Sequence, residues 1–253
     1  MTLHFTVHGS GDPRLSFLHG FTQTSKSWVS PASAIRGGTK QFIDAPDHGE
    51  SQGQSLNLAE AGNAVAEIAL ESTLIGYSMG ARIALHAVLQ NPKAFNGVVL
   101  VSGTAGIADD QERMNRKLHD EALACSIEDT GNEAFIREWV QQPLFANSRF
   151  SEEDIADRLR NSASSLASSL RLCGTGTQRS LWDDLKNILI PVLVVAGERD
   201  EKFVAIAHQM HGLIPFSQIA IVQNAGHAVH TEVPDKFCAI VNDWLDGQTK
   251  SKQ

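Results

Sequence analysis

Basic side chains are in short supply: 21 Lys and Arg stand against 29 Asp and Glu, a formal net charge of −8 at pH 7. A nucleic-acid binder needs the opposite balance, a basic surface that neutralises phosphates. The deficit also bears on small ligands, because an anionic substrate is repelled by the average surface and its site must bring its own arginines. Cysteine is scarce as well. Cys125, Cys173 and Cys238 are too few and too scattered for a disulfide framework or a zinc site, and all three read as reduced structural thiols. No stretch approaches the ~20 apolar residues of a membrane span. Met1 to Val7 lack the basic-then-apolar order of an export signal. Together these absences lead to the expectation of a cytoplasmic protein with no membrane span and no nucleic-acid partner.

What is present suffices for a full core: 253 residues, 42% of them hydrophobic, fit one large domain with room for a small subdomain set into it. The most informative stretch is Leu74-Ile75-Gly76-Tyr77-Ser78-Met79-Gly80-Ala81-Arg82. A short apolar run enters Gly-x-Ser-x-Gly and leaves as Ile83 to Leu89, which reads as strand, sharp turn, helix. Glycines at 76 and 80 suit so tight a turn because they bring no Cβ to clash. Ser78 is thereby presented at a helix N-terminus, where backbone N–H groups stabilise negative charge.

Around it the chain alternates strand and helix. Leu3 to Val7 is a marginal first strand before the turn residues His8 to Pro13, and Leu15 to Leu18 is a second that stops at His19-Gly20-Phe21. Such a stop aims the next N–H groups into a cleft, so Phe21 is a candidate oxyanion donor through its backbone, while His19 reads as structural. A short helix at Ser25 to Val29, a strand at Gln41 to Ala45 and a helix at Leu58 to Leu70 follow. The helix after Ser78 stops at Asn91-Pro92, and Val98 to Val101 is a β-branched run of the kind buried on both faces of a parallel sheet. From Gly103 to Leu185 apolar residues recur only at helical spacing: Arg113 to Ser126, Glu133 to Gln141, Glu152 to Asn161 and Ser164 to Leu172. Strands resume at Pro191 to Ala196 and Gln218 to Val222, with helices through His211 and from Pro234 to Leu245, and Gly247 to Gln253 reads as a frayed polar tail.

Ser78 after one strand, Asp200 at the end of another and His227 just after the last give the chain order Ser, Asp, His, which is the pattern of the α/β-hydrolase fold. Serine needs a base, and histidine needs a carboxylate to fix its tautomer. Glu198 is an alternative acid and His230 an alternative base; His208 and His211 lack the further ligands of a zinc helix. The expected fold is α/β, a mostly parallel doubly wound sheet with a helical cap inserted after the sixth strand, residues 1–103 and 187–253 forming the core and 104–186 the cap. Arg82, four residues after Ser78, lies one helical turn along the face of the nucleophile. It reads either as a carboxylate receptor, since guanidinium binds carboxylates bidentately, or as an arginine whose stem packs while its head finds water.

The chain resembles, over nearly its whole length, the menaquinone-pathway 2-succinyl-6-hydroxy-2,4-cyclohexadiene-1-carboxylate synthases. The residues that carry the likeness are His19-Gly20-Phe21, Gly76 to Arg82, Glu138-Trp139-Val140-Gln141-Gln142-Pro143-Leu144-Phe145, Gly174-Thr175-Gly176-Thr177-Gln178, Gly197 to Phe203 and Ala225-Gly226-His227. The resemblance implies a lyase that eliminates pyruvate from an enolpyruvyl ether of a succinyl-cyclohexene carboxylate, with no metal or organic cofactor. It implies Ser78, Asp200 and His227 as a catalytic triad acting as base, N–H groups of Phe21 and Met79 as the oxyanion hole, and Arg82, Arg116 and Arg160 on the carboxylates of a small anionic substrate. Tyr77 and Trp139 would line the pocket. Two departures are visible: Asp47 stands where the fold commonly has glycine, as does Ala81. The rival readings are a serine hydrolase of esters or of a carbon–carbon bond in a diketone acid, and a catalytically silent binding protein on the same fold. Oligomeric state is open.

Overall fold

The computed structural model describes residues 2–250, and its frame is a seven-stranded sheet in the order β1-β3-β2-β4-β5-β6-β7. The strands are β1 (Phe5–Gly9), β2 (Arg14–Leu18), β3 (Thr39–Ile43), β4 (Ser72–Tyr77), β5 (Phe95–Val101), β6 (Val192–Gly197) and β7 (Ser217–Val222). Only β1 runs antiparallel, pairing with β3 from Phe5 opposite Ile43. The other pairs are parallel. Val98 faces Val192 and Val101 faces Val195 in the β5–β6 ladder, and all four are buried. A parallel sheet has to be covered on both faces, which is why these strands are continuous runs and not alternating ones.

Two apolar layers do the covering. Helices α1 (Leu58–Ile68), α2 (Met79–Gln90) and α7 (Glu201–Leu213) close one face around Val65, Ile83 and Met210. Phe17, Trp28, Phe42 and Phe237 fill the other beneath α9 (Pro234–Lys250). Each such side chain withdrawn from water contributes roughly 1.5–3 kcal/mol. Helix α1 starts at a capping box between Asn57 and Glu60, and Gly62 within it lets α2 approach: a Cβ there would fall 2.8 Å from the Ala87 nitrogen.

Between β5 and β6 lie four helices, α3 (Asp110–Thr130), α4 (Asn132–Trp139), α5 (Glu152–Arg158) and α6 (Ala163–Cys173), with their own apolar cluster of Ala124, Ile127, Ile136, Leu166 and neighbours. Buried Asn161 fastens this insertion to the sheet loops: its Nδ2 donates to the Thr22 carbonyl at 2.7 Å, and its Oδ1 accepts from Gly49 N–H at 2.8 Å. The polar tail from Gly247, expected to fray, is helical through Lys250, where α9 ends; residues 251–253 lie outside those described.

The strand count needs correction. The insertion follows the fifth strand and not the sixth, because the sheet begins at β1 and no described residue forms a strand before Phe5. The cysteines are free as expected, but Cys125 is exposed, so only Cys173 and Cys238 are core thiols.

Candidate active site

Strand β4 delivers Ser78 with φ 52° and ψ −108°, a left-handed backbone that a residue with a side chain holds only under constraint. The constraint is crowding by the neighbouring turns. A Cβ on Gly76 would lie 2.4 Å from the Gly80 carbonyl oxygen, and one on Gly80 would lie 2.3 Å from that of Leu18. Both glycines are needed for the close approach, and the serine is forced outward. Its Oγ sits 3.2 Å from His227 Nε2, and His227 Nδ1 sits 2.7 Å from Asp200 Oδ2. His227 is buried, and its carbonyl accepts from Ser102 Oγ at 2.7 Å. A second carboxylate, Glu232, accepts from the N–H groups on both sides of the histidine, Gly226 at 2.5 Å and Ala228 at 3.2 Å. The short helix α8 (Val229–Glu232) that carries Glu232 had no visible periodic signal.

The alternatives for acid and base do not reach this line. Glu198 accepts from Asn224 N–H at 3.0 Å. His230 is fully buried with its ring 4.2 Å from that of Trp28 and 4.4 Å from that of Tyr77, and burial with the nearby His227 and Arg158 pulls its pKa to about 3. His19 is structural, as expected: Nδ1 bonds the Gly20 carbonyl at 2.8 Å and Nε2 accepts from Ala45 N–H at 3.0 Å. Desolvation lowers its pKa, and because Nε2 accepts from Ala45 the proton is on Nδ1, donated to the Gly20 carbonyl.

Ser78 opens on a cavity of about 660 Å³ that is also lined by His227, Phe21, Met79, Arg82, Arg116 and Trp139. Among the described residues the backbone N–H groups of Phe21 and Met79 have no acceptor on the chain, so both are free for a ligand oxygen. Arg82 is 7% exposed. Its guanidinium donates from Nη1 to the Cys173 carbonyl at 2.6 Å; among the described residues it has no acidic partner, and burial brings its pKa down to about 10. A guanidinium held this way stays charged at neutral pH with donors to spare. Arg116 reaches the same cavity from α3 with Nε on Asp120 Oδ1 at 2.7 Å. Trp139 sets its ring edge-on to Phe21, centroids 5.3 Å apart.

Tyr77 and Arg160 are not in that cavity. Both line a neighbouring one of about 460 Å³, and the wall between the two is a single residue thick in sequence: Ser78 and Tyr77, His227 and Ala228, Leu144 and Phe145 fall on opposite sides. Arg160 is already engaged, with Nη2 on Glu50 at 2.5 Å and Nη1 on Asp157 at 3.3 Å. The reason is local: α5 ends at Arg158, so Arg160 has left the helix and turns outward. A buried arginine also lines the second cavity: Arg158, 5% exposed, bonded to Thr22 Oγ1 and lying 5.1 Å above the Phe150 ring. Two arginines two positions apart at a fraying helix end gave no periodic signal to choose between them. Asp47 fills its unusual place at φ 59°. Its Oδ1 accepts from Gly53 N–H at 3.2 Å and Ser55 Oγ at 3.1 Å, so the loop holds a glycine-like turn and the charge lies outside the Ser78 cavity.

A model of the alpha/beta hydrolase family matches residues 17–240. Among curated relatives, a Salmonella agona 2-succinyl-6-hydroxy-2,4-cyclohexadiene-1-carboxylate synthase is 30% identical over 88% of this chain and 90% of its own length. A Bacillus subtilis protein to which the same name is provisionally attached is 38% identical over 90% of this chain and 88% of its own. The chain belongs to the alpha/beta hydrolases and, within them, to this synthase family. The structure titled MenH from S. aureus superposes with a TM-score of 0.91 at 31% identity, covering 97% of this chain and 99% of that one. An esterase from Thermogutta terrifontis superposes at 0.79 with 20% identity, a likeness of fold alone. What separates this chain from a general hydrolase of the fold is therefore sought in what surrounds the triad, and Arg82 and Arg116 are the residues to examine.

Proposed function

We propose that this chain is a carbon–oxygen lyase that eliminates pyruvate from 2-succinyl-5-enolpyruvyl-6-hydroxy-3-cyclohexene-1-carboxylate, giving 2-succinyl-6-hydroxy-2,4-cyclohexadiene-1-carboxylate. The observation that carries the reading is Arg82: a buried, charged guanidinium with no acidic partner among the described residues, in the cavity of Ser78. Leaving such a group unpaired is costly, and a carboxylate ligand removes the cost.

In this reading Asp200 holds the His227 Nδ1–H and stabilises the imidazolium, and His227 Nε2 takes the Ser78 proton. Ser78 Oγ then abstracts a ring proton. The electrons of that C–H bond, at ring carbon 2, form the double bond to carbon 3, the existing pair between carbons 3 and 4 shifts to carbons 4 and 5, the bond from carbon 5 to the enolpyruvyl oxygen breaks, and the proton held on His227 goes to the departing pyruvate enolate. The N–H groups of Phe21 and Met79 offset charge that builds on the substrate as the proton leaves. Arg82 and Arg116 hold carboxylates. Arg158, in place of Arg160, supplies the third guanidinium from the second cavity beside Tyr77, and Trp139 forms the apolar wall. On the same reading residues 104–186 cap a core of residues 1–103 and 187–253, and the enzyme works in the cytoplasm on a small anion. Among the described residues no helix is long and apolar enough to cross a membrane.

The test mixes purified protein with the enolpyruvyl substrate and follows pyruvate release beside cleavage of a p-nitrophenyl ester. Pyruvate release that is lost in Ser78→Ala supports the lyase. Ester turnover without pyruvate release would return the chain to the hydrolases.

A further inference from the structure

The Gly174-Thr175-Gly176 run has no chemistry of its own in the lyase reading, yet it lies between the two arginines of the Ser78 cavity. It follows directly on α6, and Gly174 and Thr175 line that cavity. Cys173, the last residue of α6, gives its carbonyl to Arg82 Nη1 at 2.6 Å. Three residues on, Gly176 N–H donates to Asp120 Oδ2 at 3.0 Å, and Asp120 Oδ1 accepts from Arg116 Nε at 2.7 Å. One short segment thus anchors guanidinium groups that come from two different helices, α2 and α3. The glycines are what let it come so close. A Cβ on Gly174 would fall 2.6 Å from Asp120 Oδ2, and one on Gly176 would fall 2.2 Å from the Lys117 nitrogen.

Asp120 is 1% exposed, and each of its oxygens has one of these partners. Arg116 is partly open, its side chain 38% exposed. Holding Nε leaves the four N–H donors on Nη1 and Nη2 unclaimed by Asp120, and those form the bidentate edge of a guanidinium. A free arginine on an exposed helix samples many rotamers, so fixing it beforehand removes an ordering cost from binding. A bare acid in the cavity would instead repel an anion. Asp120 avoids this because its oxygens are turned to Arg116 and to Gly176.

We propose that Asp120 is a positioning residue: locked by Gly176 N–H, it presents the Arg116 guanidinium beside Arg82 for one carboxylate of the substrate. The proposal rests on the reading of Arg116 as a carboxylate receptor, and a double-mutant cycle separates the two. Arg116→Ala, Asp120→Asn and the double variant are compared in pyruvate release, after thermal melts establish that each is folded. The near-isosteric Asn loses the charge that holds Arg116, and where its oxygen keeps the Gly176 N–H its NH2 group faces the Arg116 donor. Should Asp120→Asn not fold, Asp120→Glu takes its place in the cycle, since it keeps the charge and shifts the acceptor by one methylene.

The expected result is a KM raised roughly 10-fold or more in each single variant, the scale of a charge-assisted hydrogen bond, with kcat within about threefold. In the Arg116→Ala background the change at residue 120 should then add less than about twofold, because residues acting through one contact are not additive. Full additivity, or a fall in kcat at unchanged KM, would overturn the positioning role while leaving Arg116 in place. An Arg116→Ala enzyme with wild-type KM would overturn the reading of Arg116 and the role of Asp120 together.

Discussion

The two cavities on either side of the Ser78–Tyr77 step are both lined by arginines, and Arg82 in one and Arg160 in the other are in different states. In the larger cavity Arg82 has only a backbone carbonyl. On the rim of the smaller one Arg160 already has two carboxylates, Glu50 and Asp157. The contrast teaches that counting arginines near a nucleophile says little until their partners are known: an exposed paired arginine contributes at most about 1 kcal/mol to stability, while a buried unpaired one represents binding energy held for a ligand.

The largest effect belongs to the triad that opens on the larger cavity. Ser78→Ala and His227→Ala should each lower kcat for pyruvate release by about 1,000-fold or more, with melting temperatures near that of the parent. A loss of only a few-fold would remove the triad from the chemistry. Next is Arg82→Ala, expected to lose on the order of 2–5 kcal/mol in kcat/KM, with lysine rescuing only in part because it lacks the fork. Slow hydrolysis of an uncharged ester should be nearly untouched by this change, and a parallel fall in both activities would make Arg82 a support of the elbow. Smaller again is His230→Ala, which removes a fully buried ring and should cost about 2–4 kcal/mol of stability while sparing kcat in the folded fraction. Equal losses of kcat at His227 and His230 would mean the base is misassigned. The least is Arg160→Ala: KM within about threefold of wild type, as for a surface ion pair. A loss matching that of Arg82→Ala would erase the distinction between the cavities.

Acid stability gives a further check on the buried imidazoles. Burial pulls the pKa of His48 to about 3, of His86 to about 4 and of His230 to about 3. The unfolded chain, with histidines near 6.5, binds more protons than the folded one between these limits, so stability is complete above pH 6.5 and falls as pH drops toward 3–4. Urea midpoints should decline through that window, and His230→Phe should flatten the slope. An unchanged slope in that variant would place a charged His230 in the folded protein.

Much of the site was legible because it is built from backbone geometry. Gly76 and Gly80 announce the elbow, the strand ends announce Asp200 and His227, and the spacing of four residues puts Arg82 beside Ser78. What stayed hidden depends on contacts between remote segments. Asp120 lies one helical turn from Arg116, but its second partner, Gly176, is 56 residues further on, and Arg158 and Arg160 differ only in which side of a helix terminus they fall. The strand count is a plainer matter: the sequence carries five strand signals before the cap, the first at the exposed antiparallel edge strand Phe5 to Gly9, and the five strands observed match them.

The hydrogen bond from Ser78 to His227 joins residues 149 apart in the chain. Helices can form from neighbours alone in microseconds, whereas closing contacts of this span waits for β4, β5, β6 and β7 to find one another in parallel. Turnover is thus a clock for the last stage of folding. In a refolding experiment the helical signal should return first and catalytic activity should follow, reporting the moment at which the loop after β7 has reached the end of β4.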